Sequence, residues 1–539
     1  MLGILATSSG RDRKPAIAGG DHHCCASRPT IYARLLPQAM LWPGSGCAFF
    51  CQALAAESRL PDSFVRQTNV KCCSRSSGST RHSVIAVPTP NRFAINGRVR
   101  RQGLTLIGAL VSAAALCNAP AAIAQSHLTA AIFDSYPNHI WNRTHSCLFV
   151  RHSADGTEFG ADTLDPLLWQ RTEYLLTGES HDRALACLDE FLRTHAERMV
   201  QDPLKRAIFQ RDLWAVFDWA AAGDDQPEQR RELEIRLAEV MRRVAITPEQ
   251  VRRLPDTYAA AVAARKFATE YDPRNPEQPF LPAELFRSDG PWVCLSAYSE
   301  EPTAIVHFIG RSRFLVFMRL PGGRDATLSY IQKLRSGVDL PLLRNGSDPE
   351  FLNLALSQFP VGTQVALVRQ AVIIDNRGQL APTALTESVQ LRVYHAITPG
   401  SRYMNYINGP SSHDQDFFEF RMRRPELFGN IGGGLVAVHP GEKEYATFMT
   451  HGMDAFVGPA ASEGQGVILK RCLGCHSDSG IHSVQSRLQW MNHPVGERQP
   501  GNDESTRDAI TWETTVTIAR KRLQPEFKIL QSLWLSRRD

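Results

Sequence analysis

The apolar residues of this chain change period near residue 280, from about 3.6 residues to about 2.0, and that change limits the fold more than any other feature. Between about 161 and 270 the pattern is helical. Asp165-Pro166 and Asp202-Pro203 each offer an N-cap carboxylate followed by a proline at the first helical position. The first predicts a helix with an apolar face through Leu168, Trp169 and Leu175. The second precedes "LKRAIFQRDLWAVFDWAA". Leu233, Leu237, Val240 and Val244 recur at 3–4 spacing, and Thr247-Pro248-Glu249-Gln250 matches a capping box. Four or five packed helices are expected, with a loop around Gly223–Gln229.

From 286 to 450 the alternation is that of strands. "TAIVHFIGRSRFLVFMRL" predicts a hairpin turning near Gly310-Arg311-Ser312. "QVALVRQAVIID" and "ESVQLRVYHAI" predict two strands joined through Asp375-Asn376-Arg377-Gly378, which has turn chemistry. Val389, Leu391 and Val393 share one face, as do Phe418, Phe420 and Met422. A short helix is expected after Gly322-Gly323-Arg324. "GNIGGGLVAVHP" opens a strand, so its glycines read as a turn or bulge and not as a phosphate loop, which would open a helix. His307 and His395 lie in strand patterns. Either can ligate a metal, but a core or surface role fits them better. No hydrolase triad or metal cluster stands out between 125 and 450.

The formal charge of +5 conceals an asymmetry. Residues 1–124 hold 14 Lys and Arg against 4 Asp and Glu, so the rest of the chain is net acidic. There is no basic arm or aromatic-basic patch, and nucleic acid is not an expected partner. Residues 98–124 read as a secretory signal peptide: Arg98, Arg100 and Arg101, an apolar run from Leu104 to Leu116, and Ala122-Ile123-Ala124 before Gln125. The run is too short to span a bilayer, so no transmembrane anchor is expected after cleavage. Residues 1–97 show no sustained period and read as a disordered extension or a mis-assigned start. Export, to the periplasm or the outside, means an oxidising compartment. Cys147, Cys187, Cys294, Cys472 and Cys475 remain after residue 125. Cys187 reads as a core thiol, with a Cys147–Cys187 disulfide as the alternative.

Cys472-Leu473-Gly474-Cys475-His476 carries the chemistry. Three sites compete for it. A redox dithiol needs a strand-to-helix junction in a βαβ unit, but the upstream "AASEGQGVILKR" reads as one amphipathic helix. A zinc site needs a second Cys/His pair, and only Asp478, His482 and His493 lie nearby. Covalent haem uses all three reactive residues: two thiols one helical turn apart for the vinyl groups, and an adjacent imidazole for the iron.

Here the chain resembles a c-type cytochrome domain. The resemblance covers residues 458–539: a helix from roughly Ser462, the motif, and a closing helix "RDAITWETTVTIARKRL". It implies an all-α cytochrome c-like fold in which Trp512, Val516, Ala519 and Leu523 pack on the first helix and the haem edge. It implies one covalent haem c, tethered by Cys472 and Cys475, with His476 as proximal iron ligand. The family usually takes a distal Met from well downstream. The chain departs from this pattern, because Met491 is the only Met after the motif. Distal candidates are Met491, then His493, then His482.

The expected whole is a multi-domain α+β protein: a mainly helical domain (125–280), a β-rich domain (286–450) and the haem domain. The expected function is electron transfer with a redox partner protein. A haem peroxidase-like enzyme and a scaffold with a structural haem are the alternatives. Nothing in the sequence fixes an oligomeric state.

Overall fold

The computed structural model describes residues 131–539 apart from 154, 165–167, 170–171, 297–300, 337–341, 344–350, 353–356, 399–413, 446–455, 457–464, 477, 486–504 and 537–539. The expectations for 1–97 and 98–124 lie outside the described residues.

Among the described residues the first six α-helices are α1 Ile140–Phe149, α2 Gly178–Arg193, α3 Pro203–Ala222, α4 Pro227–Val244, α5 Pro248–Arg252 and α6 Thr257–Ala263. Local chemistry starts several of them. Asp202 caps α3 by accepting from the Leu204 amide at 2.8 Å, with Pro203 at the first position. The capping box of α5 is complete: the Gln250 amide donates to Thr247 Oγ1, and the Thr247 amide donates to Gln250 Oε1. The loop before α4 ends at Gln226, so it is shorter than expected. Of the helix expected through Leu168, Trp169 and Leu175, the described residues 168–169 and 172–176 form turns and a bend, and its expected start at Asp165-Pro166 lies outside the described residues. Thr172 turns the chain by bonding the Trp169 carbonyl with both its hydroxyl and its amide, in place of a helical ladder. All three apolar side chains are still buried.

The sheet is an antiparallel meander of β1 Val293–Leu295, β2 Ser312–Arg319, β3 Gln364–Ile374, β4 Leu380–Tyr394, β5 Gln415–Met422 and β6 Leu435–Ala437, each paired with the next. Helix α7, Gly323–Ser336, links β2 to β3. The β3–β4 turn falls where expected, and Asp375 accepts from the amides of Arg377 and Gln379. The hairpin expected around Gly310 is absent. Ile305–His307 forms a 3₁₀ turn, and β2 pairs with β1 and β3 instead. The glycine run forms a turn before β6. Gly433 takes φ +62° there, and a Cβ would lie 2.0 Å from the Thr257 carbonyl oxygen.

Register assigns the two faces of the sheet. Cys294 opposes Phe317, Leu315 opposes Val368, Val389 opposes Phe420, and Leu391 opposes Phe418. This face joins the helices in the larger core. Leu295 opposes Val316, Met318 opposes Val365, and Tyr394 opposes Gln415. Of these, Leu295, Val316, Met318, Val365 and Tyr394 join Tyr330, Ile331 and Leu334 of α7 in a second core. Covering both faces buries strands that a one-sided sheet would leave half wet.

Among the described residues the remaining α-helices are α8 Arg424–Phe428, α9 Ile468–His476, α10 His482–Gln485, α11 Thr506–Leu523 and α12 Pro525–Leu535. Gln465–Val467 is a strand paired with Lys443–Tyr445, so α9 starts at Ile468 and not near Ser462. Ile481 and Val484 lie in the second core, whereas Ala509, Phe527, Leu530 and Trp534 lie in the first. The described parts of 458–539 are thus divided between the two cores rather than gathered in one helical unit. The expected stripe on α11 fails with it. Val516 is buried, but Trp512 is half-buried, Ala519 exposed and Leu523 70% exposed. The buried side of α11 is largely polar, with Thr506, Glu513, Thr517 and Lys521, because it meets strand ends and buried charges rather than another apolar helix. The helical and strand segments share the larger core, in a mixed helix-and-sheet fold. Among the described residues no helix is long and apolar enough to cross a membrane.

Candidate functional site

Cys472 to His476 form the last turns of α9. That helical backbone sets the two cysteine positions one turn apart and brings His476 to the C-terminal end. The side chains of Cys472 and Cys475 lie outside the described residues, as do Met491 and His493.

The His476 side chain is buried. Its Nδ1 lies 2.7 Å from the Ser483 carbonyl oxygen. A carbonyl only accepts, so Nδ1 carries the proton and the Nε2 lone pair faces the other way. The ring is therefore fixed in both tautomer and direction, as metal-ligating histidines are. Ser483 is itself held. Arg392 donates to its carbonyl at 3.2 Å, its hydroxyl donates to the Gly480 carbonyl, and Tyr394 lies 2.5 Å from that hydroxyl. Burial raises the Tyr394 phenol above its usual range, so it stays protonated and able to donate. Gln415 anchors the end of α9 by donating to the His476 carbonyl at 2.7 Å. Arg392, Tyr394 and Gln415 all project from the second face of the sheet, at paired positions of β4 and β5.

His482 opens α10 and is buried. Burial holds its imidazole below the ordinary histidine range, against the opposing pull of Asp478. It directly precedes Ser483, whose carbonyl holds His476.

A residue from far upstream completes the neighbourhood. The His307 ring lies 6.1 Å from the His476 ring, centre to centre, with the planes 16° apart. It also packs on Phe314 of β2, with ring centres 5.8 Å apart. His307 stands in the 3₁₀ turn between β1 and β2 and not in a strand. The sequence offered only a histidine in an apolar stretch, and no local spacing joins it to the motif. His395 plays no part here; its Nδ1 lies 3.3 Å from Asp416.

His476, with its ring fixed through Nδ1, could serve as a ligand to a haem iron or to another metal. Among the described residues no group of three His, Cys, Asp or Glu gathers to hold an ion. A porphyrin supplies four nitrogens and asks the protein only for axial ligands and tethers. No family model matches the chain, and no curated protein or solved structure matches it.

Proposed function

We propose that this is an exported, monohaem c-type cytochrome that transfers electrons with a redox partner protein. One observation carries the reading: the imidazole of the Cys-x-x-Cys-His motif is buried and donates from Nδ1 to a backbone carbonyl, the outer contact that fixes the rings of metal-ligating histidines. In this reading Cys472 and Cys475 would hold the haem through two thioethers and His476 would ligate its iron. A bound haem c would supply a one-electron ferric/ferrous couple. The chain's part is to orient His476 through Ser483, to keep water from the ring by packing Ile481 and Val484 into the second core, and to hold the end of α9 through Gln415. Residues 98–124 direct export, to the periplasm or beyond, and leave no anchor. The rest of the molecule supports the site and offers a docking surface to the partner.

The test is a pyridine haemochrome spectrum after expression with a cytochrome c maturation system, beside Cys472→Ala/Cys475→Ala. Haem that survives acid-acetone extraction in the wild type and is lost in the double variant supports the reading. A folded, exported wild type without covalent haem ends it.

A further inference from the structure

We propose that His307 is the distal axial ligand, so that the haem iron is held by two histidines from separate parts of the chain. This rests on the haem reading above. The argument is geometric. Metal–imidazole bonds are about 2 Å and each ring centre lies roughly 1 Å behind its nitrogen, so one iron between two imidazoles sets the ring centres about 6 Å apart. His307 and His476 are 6.1 Å apart. Offset ring packing spans the same range, about 4.5–7 Å, so the spacing admits an iron between the rings without requiring one. Two planes within 16° are also compatible with a shared axis.

His307 is held as a ligand must be. Its amide closes the 3₁₀ turn on the Ala304 carbonyl at 2.9 Å. Phe314 backs the ring. Helix α11 clamps the segment: Glu513 accepts from the Thr303 amide and hydroxyl, Arg520 pairs with Glu301 at 2.6 Å, and the Arg520 guanidinium lies over Phe308. Both rings are thus referred to the same face of one sheet, His307 through β2 and His476 through β4 and β5. The consequence is functional. Two imidazoles fill the iron's axial positions, lower its potential relative to His/Met ligation, and leave no sixth site for peroxide.

The test is optical and magnetic spectroscopy of the full chain carrying covalent haem, as wild type, His307→Ala, His307→Met and His482→Ala. The wild type should be low-spin, lack the near-infrared Met-to-iron charge-transfer band, and bind no carbon monoxide when reduced. His307→Ala should become high-spin and bind carbon monoxide stoichiometrically, and added imidazole should restore the low-spin spectrum. His307→Met should gain the charge-transfer band and a more positive potential. His482→Ala should match the wild type. A Met-to-iron band in the wild type would overturn the assignment in favour of Met491. An unchanged low-spin spectrum in His307→Ala would overturn it in favour of another ligand such as His493. In both cases the covalent haem stands and only the ligand assignment falls. Absence of covalent haem, read by the haemochrome, would remove both.

Discussion

The Arg424 guanidinium grips the Asp212 carboxylate with two parallel hydrogen bonds, Nε to Oδ2 at 3.0 Å and Nη2 to Oδ1 at 2.5 Å, with side chains 0% and 2% exposed. Arg424 also donates to the carbonyls of Gly160, Ala161 and Thr163. One buried cation thus ties α3, α8 and the segment before α2. A desolvated charge is costly once its partner is removed. Arg424→Met should destabilise the fold by about 3–5 kcal/mol. Asp212→Asn should cost less, because the three carbonyls still satisfy part of the guanidinium. In a double variant the two losses should not add. Urea unfolding of the three variants checks this; strict additivity would mean the pair is not coupled.

His145 sets a pH dependence. Its ring stacks on Phe149, and its Nε2 has no hydrogen-bond partner among the described residues. The nearest Asp212 oxygen is 3.6 Å away and already bonded to Arg424. Burial, aided by the Arg424 charge, holds the imidazole well below its ordinary range. The folded state therefore keeps His145 neutral, whereas the unfolded chain protonates it near pH 6.5. Below that pH the unfolded state binds the extra proton, so stability is full above about 6.5 and declines on acidification until the folded group also titrates. Unfolding free energies measured from pH 7.5 down to 5 should fall for the wild type and fall less steeply for His145→Gln. Parallel curves would remove His145 as the cause.

Cys147 on α1 and Cys187 on α2 place their sulfurs 3.0 Å apart. Closing to a bond of about 2 Å needs only a small side-chain adjustment. In an oxidising compartment the pair should form a disulfide. Closing that loop of 40 residues should stabilise the fold by up to about 4 kcal/mol. Cys294 is buried, and desolvation followed by the Glu513 charge pushes its thiol well above the usual range, so it should stay reduced and unreactive. Non-reducing peptide mapping of exported protein should find 147 linked to 187 and 294 as a free thiol. Reduction should lower Tm, and Cys187→Ala should abolish that response.

Features governed by a few neighbouring residues were legible. The Asp202-Pro203 cap, the Thr247–Gln250 box, the Asp375 turn, and the alternation of Phe418, Phe420 and Met422 each follow from chemistry within one or two turns of chain. Short apolar windows misled where a turn served equally well. Thr172 redirected the expected helix at 168–175, and Ala304 to Phe308 closed a 3₁₀ turn where a strand was expected. The α11 stripe misled for another reason. Periodicity selects an apolar face, but α11 buries a polar one against Ser296, Thr303 and Asp218.

The sequence by itself determined several caps and turns, the helical and strand periods of the longer elements, and the motif that nominates Cys472, Cys475 and His476, because each depends on contacts close along the chain. Only the tertiary structure decided that α3 is buried on nearly all sides, so that Arg211, Asp212 and Asp218 meet Glu387, Arg424 and Arg311 instead of water. It also decided that His307 faces His476. Such pairings are set by which faces must be covered to keep two apolar sides of one sheet dry, and no local pattern records that.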